Sequence, residues 1–461
     1  MSTTKLIISD LHLADGTSIL DCFGERQQAA LEGLLAAAVS PSSSFPFSPS
    51  EEVELIINGD CFDFLVTTPY NSNKTTHVTT AVQKIDKIIA AHRAFFATLR
   101  AFVALPGRRV TFVTGNHDLE LCFAEVHTRI RAAIIGSDEA MEGERIHFCP
   151  TRFYRPLPDV YIEHGNNYDF WNHAIQGIWD EQGQPLDRHP QTLALSAGSQ
   201  YFQRAAYPIS VQHAYFDHFD PPMNSMRQIA LLCLLDPDLL IHVAQATMQL
   251  LSSPRQPLAN LSLEDRRNPV RLFEEAMQDF ATFQTDMAAQ KRDWPLVEPP
   301  QAPEAPQPSQ AVLQEFMTVH QALALPIVEA VAVLCTPRPY QMGADVASGM
   351  HNVLKNDPTL RYAIAGHTHE VRSDSVGSGG AAPQQVYLNT GSWTTHLALP
   401  TPEDITAATV EWFRAPAWNA VPLRDITQFV FVLVTSSQDE ASTARLCVWD
   451  GATHGNYRVL A

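Results

Sequence analysis

Short apolar runs that break off into clusters of Asp, His and Asn mark both ends of the chain. Lys5-Leu6-Ile7-Ile8-Ser9 stops at Asp10-Leu11-His12, and residues 53–57 stop at Asn58-Gly59-Asp60, with Asp63 just beyond. Residues 109–113 run into Gly115-Asn116-His117-Asp118, and residues 159–163 into His164-Gly165-Asn166-Asn167. Near the far end, residues 362–365 lead into Gly366-His367-Thr368-His369, and residues 385–389 into Thr390-Gly391-Ser392. Runs of this length, rich in Val and Ile, predict buried strands. Residues 429–434 and 446–449 predict a closing strand pair, and the Gly/Ser-rich segment 373–383 a hairpin loop. Helical spacing predicts helices over 25–39, over 78–105 as one long element stopped by Pro106-Gly107, and over 119–135. The Ser/Pro-rich segment 40–50 reads as a loop.

From about residue 170 to 356 the strand pattern fades into helical composition broken by prolines. Residues 229–251 are very apolar but carry Asp236-Pro237-Asp238 at their middle. Carboxylates at bilayer depth are costly, so this stretch predicts two buried helices joined at the proline rather than a membrane span. Residues 295–308 hold six prolines among acids and Gln, the composition of a solvated linker. No internal repeat is found. The expected organisation is therefore a discontinuous strand-bearing domain, residues 1–169 and 357–461, interrupted by a helical insertion or cap, residues 170–356.

Charge narrows the partners. The chain has 50 acidic against 31 basic residues, a formal charge of −19. Phosphate polymers need Lys or Arg beneath them, so nucleic acid is disfavoured as a partner. Seven scattered Cys without a C-x-x-C pair argue against a disulfide framework or a thiolate zinc site and favour a reducing compartment. With no signal-peptide pattern and no long uncharged apolar run, the expected location is cytoplasmic, with peripheral attachment to a membrane left open. Oligomeric state is not legible.

The donors at the strand ends are carboxylate, amide and imidazole groups: Asp10, His12, Asp60, Asn116, His164, His367 and His369. That set suits Mn, Fe, Zn or Mg rather than a structural zinc knot. Seven donors exceed one closed tetrahedral site and suit two ions sharing a bridge, the arrangement that clamps both oxygens of a phosphoryl displacement. Other groups have plainer readings. Cys61 and Trp393 are expected in the core, Asn167 and Asp169 in a turn, and Asp118 as a turn fixer. His213 and His218 with Asp217 form a grouping without a ligand-spacing template.

The ordered blocks Asp10-Leu11-His12, Gly59-Asp60-Cys61-Phe62-Asp63, Gly115-Asn116-His117-Asp118, His164-Gly165 and Gly366-His367-Thr368-His369 resemble the calcineurin-like metallophosphoesterases. The resemblance covers about 1–170 and 357 to the end. It implies an α/β fold, a sandwich of two sheets flanked by helices, here with a large mainly helical insertion. It implies that Asp10, His12 and His369 hold one divalent ion, that Asn116, His164 and His367 hold a second, and that Asp60 bridges them, with manganese the leading candidate. It implies hydrolysis of a phosphoester or pyrophosphate bond of a small organic phosphate by water activated between the ions. His117 would stabilise charge or protonate the leaving oxygen, and Asp63 would pair with it. Asp10-Leu11-His12-Leu13 and the Asn-Asn-Tyr-Asp after His164-Gly165 are similar to the branch containing UDP-2,3-diacylglucosamine diphosphatases. That branch usually carries Arg where this chain has His117. A lipid-linked substrate is thus one option, with a nuclease of the same superfamily and a non-catalytic scaffold as alternatives.

Overall fold

The computed structural model describes residues 3–39, 52–69, 74–136, 145–169, 171–173, 178–180, 182–248, 262–290, 310–336, 344–377, 384–437, 440–450 and 456–461. The loop expected at 40–50, the linker at 295–308 and residues 378–383 of the expected 373–383 loop lie outside these residues, while 373–376 belong to a strand, Val371–Val376, rather than to a loop. Contacts divide the chain into two units. One comprises residues 1–200, 342–394 and 427–461, the other residues 201–341 and 395–426.

The first unit is built on two sheets. Four parallel strands, Thr3–Ile8, Glu52–Asn58, Arg108–Val113 and Ile146–Phe148, continue through antiparallel Phe429–Ser437, Glu440–Asp450 and Asn456–Val459 into a seven-stranded sheet. A five-stranded sheet runs Val371–Val376, Gln385–Thr390, Tyr362–Ala365, Val160–Glu163, Phe153–Leu157. Side chains alternate across a strand, and here both sets are apolar because both faces are covered. Ile7, Ile56 and Val113 cluster with Ile162, Ile364 and Leu388 of the other sheet, so the two sheets stack face to face. Their neighbours Leu6, Ile8, Leu55 and Ile57 point the other way, onto Leu31 and Leu34 of the Glu25–Val39 helix and Ile85 of the Val78–Ala91 helix. The Ala344–Asn356 helix covers the second sheet through Val346, Met350 and Leu354.

Two helices differ from the pattern in the sequence. The expected 78–105 helix is split into Val78–Ala91 and Arg93–Val103 at His92, which leaves the helical region with φ −107° and ψ 43°. The His92 ring pairs with Asp21 at 2.8 Å in a nearly buried contact, which periodicity could not reveal. The expected 119–135 helix begins as a 3₁₀ turn, Leu119–Cys122, and restarts as Ala124–Ile135.

The second unit is mainly helical. Residues 229–248 of the apolar stretch run through Ser225–Leu235 and Pro237–Met248, 249–251 falling outside the described residues, and Asp236 between the two helices caps the second by accepting from the Leu239 amide at 3.1 Å. These helices share a core with Pro269–Gln290, Gln310–Ala322 and Ile327–Cys335, through residues such as Leu231, Leu240, Phe273, Val319 and Val331.

Candidate metal centre

In the first unit the parallel strands end together, and the loops beyond them bring the Asp and His residues into one cluster. Three groups have ligand-capable atoms within 4.8 Å of one another: Asp10, His12 and His369; His12, Asp60 and His117; and Asp60, His164 and His367. Asp60 belongs to two of them. Asn116 lies on the same loop as His117, and the His117 amide donates to Asp60 Oδ1 at 2.8 Å.

The backbone is bent to achieve this. Among the described residues the non-glycine positions with positive φ are Asp10, His12, Asp60, His367 and His369. Left-handed geometry costs an L-residue about 1–2 kcal/mol, so five such positions in one cluster indicate a local demand stronger than ordinary turn preference. Close approach by two glycines completes the packing. A Cβ on Gly115 would collide with the Asp60 carboxylate and amide, and one on Gly366 with Ser9 and Asp10.

Hydrogen bonds then fix each ring and carboxylate. His164 Nδ1 donates to the Asn58 carbonyl at 2.8 Å, which leaves Nε2 as the atom turned towards Asp60 Oδ2, 3.1 Å away. His369 Nε2 lies 3.3 Å from Asp10 Oδ1 and 3.3 Å from His12 Nε2. Asp10 Oδ2 accepts from the Ser9 hydroxyl and from the His367 amide. Asp63 Oδ2 accepts from His117 Nδ1 at 2.9 Å and from His12 Nδ1 at 3.1 Å, while its Oδ1 accepts from the Leu65 and Val66 amides. Asp118 is engaged by backbone: its oxygens accept from the Gly115 and Cys61 amides, the work of a turn fixer.

Asp10 Oδ1 and His164 Nε2 lie 4.0 Å apart in the cluster. Both are buried and make no well-aligned hydrogen bond, with His369 Nε2 3.3 Å from the first and Asp60 Oδ2 3.1 Å from the second. A cation in place of the ring protons would satisfy such carboxylate oxygens and imidazole nitrogens together, so these residues fit a metal ion.

The electrostatics agree. Burial would raise the Asp10 and Asp60 carboxyls, but His164 beside both, with His117 on Asp60, holds them below their ordinary range. Burial would in turn keep His164 and His117 neutral. Asp60 and Asp10 instead carry His164 up to about 10, and Asp63 with Asp60 carries His117 up to about 9. Buried carboxylates this dense require positive charge. Protons on the rings supply it here, and metal binding would displace those on its ligands.

Asp169 is a member the sequence reading left in a turn. Its Oδ2 accepts from His367 Nε2 at 2.9 Å, a carboxylate hold on a candidate metal-binding ring of the kind that orients such rings. Its spacing five residues after His164 gave a weak signal. The joint hold of Asp63 on His12 as well as His117 was also missed. Cys61 and Trp393 are fully buried, and the Trp393 indole donates to the Val430 carbonyl. His213 and His218 are occupied by Phe413, Asp236 and Thr395 and, with Asp217, join no metal-capable group among the described residues. No described helix is long and apolar enough to cross a membrane.

No family model matches the chain, and no curated protein matches it. Among solved structures it is similar to the crystal structure of phosphopantetheinyl hydrolase (PptH) from Mycobacterium tuberculosis. The identity is 12%, 92% of this chain and 96% of that chain are covered, and the TM-score is 0.23. A likeness that low carries no argument about fold or activity.

Proposed function

We propose that the chain is a metal-dependent hydrolase of phosphoester or pyrophosphate bonds, with a core of the calcineurin-like metallophosphoesterase kind. The observation that carries this reading is the strand-end cluster, where Asp10, His12 and His369, and Asp60, His164 and His367, bring ligand-capable atoms within 4.8 Å of one another. Asp10, His12 and His369 would hold one divalent ion, Asn116, His164 and His367 another, with Asp60 between them. Manganese is the ion that the family resemblance puts first; the mixed oxygen and imidazole donors suit Fe and Zn as well. Bound there, such ions polarise a phosphoryl oxygen and make water a better nucleophile at neutral pH.

The protein's own residues do the rest. His117 Nδ1 donates a hydrogen bond to the Asp63 carboxylate, so Nε2 is the nitrogen that can present a proton to substrate. The His117 side chain is 24% exposed, the condition of a group that can meet an incoming molecule. As the phosphorus–oxygen bond to the leaving group breaks, His117 gives its Nε2 proton to the departing oxygen. Asp63 stabilises the charged ring beforehand and fixes its orientation. Asp169 holds His367, and Ser9 holds Asp10, without touching substrate.

We assign the chemistry to residues 1–169 and 357–461 and substrate selection to residues 170–356. A panel with Mn²⁺ tests the activity: nitrophenyl phosphate, its bis ester, sugar nucleotides, UDP-diacylglucosamine and single-stranded DNA. Turnover of small esters is expected. Preference for DNA would favour a nuclease, and inactivity on everything with metal bound would favour a scaffold.

A further inference from the structure

The Val78–Ala91 helix buries one face, made of Val78, Ala81, Lys84, Ile85 and Ile88. Four of these are the apolar side chains such a face calls for. Lys84 is the exception, and at 1% exposure it is as buried as its neighbours. A buried ammonium loses its hydration and must be compensated by what faces it. A core position that breaks the apolar rule points to function.

What Lys84 faces leads to His117. Lys84 Nζ donates to the Phe64 carbonyl at 2.5 Å. The Phe64 amide donates to the His117 carbonyl at 3.1 Å. The residue before it, Asp63, accepts from His117 Nδ1. His117 is thus gripped at its backbone by Phe64 and at its ring by Asp63, and Lys84 holds that adjacent pair from behind. The segment is tied further by the Asp63 amide, which donates to the Leu13 carbonyl at 2.8 Å, and by the Thr67 hydroxyl, which donates to the Asp63 carbonyl at 2.7 Å. Burial pulls the Lys84 ammonium below its ordinary range, while the carboxylates of Glu120, Asp63 and Asp15 oppose that pull, so Asp63 feels the same charge. An ammonium has no lone pair for a cation, and burial keeps this one from substrate. Its route to the chemistry runs through His117.

We propose that Lys84 is a positioning residue for the leaving-group proton. By holding the Phe64 carbonyl it keeps Phe64 and Asp63 on His117, so that the ring meets the departing oxygen. The proposal rests on the hydrolase reading and adds a residue that acts on His117 rather than on substrate.

Lys84→Met tests it, removing the ammonium while keeping the length of the side chain. Glu120 is buried and faces the same ammonium, so Lys84→Met/Glu120→Gln is the second variant should the single one not fold. Bound Mn²⁺ should match wild type. Turnover of an alkyl phosphate, whose leaving oxygen needs a proton, should fall about 10–100-fold, the scale of a misplaced catalytic group, while nitrophenyl phosphate hydrolysis stays within about threefold of wild type. A variant that merely weakened the fold would lose both alike. Equal losses on the two esters, no loss on either, or loss of the metal overturns the proposal. Amide hydrogen exchange on the same proteins reads the hold without turnover. Exchange over residues 61–68 should speed in Lys84→Met and stay as in wild type over the Glu52–Asn58 strand, and unchanged exchange over 61–68 overturns the proposal. A wild-type protein that binds metal but hydrolyses neither ester fails the hydrolase reading instead, and the exchange result then decides whether Lys84 holds the segment on His117.

Discussion

Among the described residues a buried His meets an Asp both in the helical unit and at the strand ends of the other unit, and the two places differ in make-up. In the helical unit, His213 has Asp236 at 3.3 Å from Nε2, and the Phe413 carbonyl and Tyr215 hydroxyl about Nδ1. Its nitrogens are occupied, and Asp236 also caps a helix. At the strand ends of the other unit, three groups of Asp and His have ligand-capable atoms within 4.8 Å of one another, with Asp60 and His12 each in two of them. Composition does not distinguish the regions. Convergence does, together with backbone: five left-handed non-glycine residues fall in the strand-end cluster, whereas His213, with φ −127°, has ordinary geometry. A His–Asp contact is fold when it stands alone and a candidate site when several carboxylates and rings meet at one place.

The comparison breaks most sharply on Asp60. Asp60→Ala is expected to lose metal affinity by more than the ~100-fold that outer partners cost, and turnover with it. Asp236→Asn in the helical unit should change neither. Metal analysis after dialysis and assay of a nitrophenyl ester check both, and equal effects of the two variants would erase the distinction.

His117→Ala should keep its metal and lose about 10²–10⁴-fold in turnover of esters with poor leaving groups. The loss should shrink for nitrophenyl esters, whose leaving oxygen needs no proton. Equal losses on both would assign His117 to charge stabilisation.

Asp169→Asn sharpens the point that outer partners belong to the site. It keeps the shape but weakens the hold on His367, so metal affinity should fall about 10–100-fold. Unchanged affinity would leave Asp169 a turn residue.

The smallest effect concerns a polar group of the helical unit that is unused without being part of a site. Asp279 is buried, its Oδ2 has no partner, and burial, with Glu275 nearby, raises it to about 6. The folded chain thus binds this proton more tightly than the unfolded one, whose carboxyl titrates near 3.8. Its contribution favours folding below about pH 4 and is lost as pH rises through 6. Asp279→Asn should stabilise the protein by about 1 kcal/mol at pH 7 and flatten that part of the stability profile in thermal melts.

What could be read from the sequence follows from range. Strands such as Thr3–Ile8 and Glu52–Asn58 announce themselves because both faces are buried, making the apolar run continuous. The donors were visible because each closes such a run, and chain order then suggested their partners. The break at His92 was not visible, because it depends on Asp21, far away in sequence. Nor was the double duty of Asp63, since a motif shows a neighbour in order and says nothing of a second ring arriving at the same oxygen.

Metal stoichiometry tests the central claim most directly. Purified chain is dialysed against Mn²⁺ and then against metal-free buffer, and bound metal is counted by mass spectrometry beside Asp60→Ala treated identically. Two ions per wild-type chain and neither retained by the variant is the expected result. A wild-type chain that binds no ion, or an Asp60→Ala chain that keeps two, would contradict it.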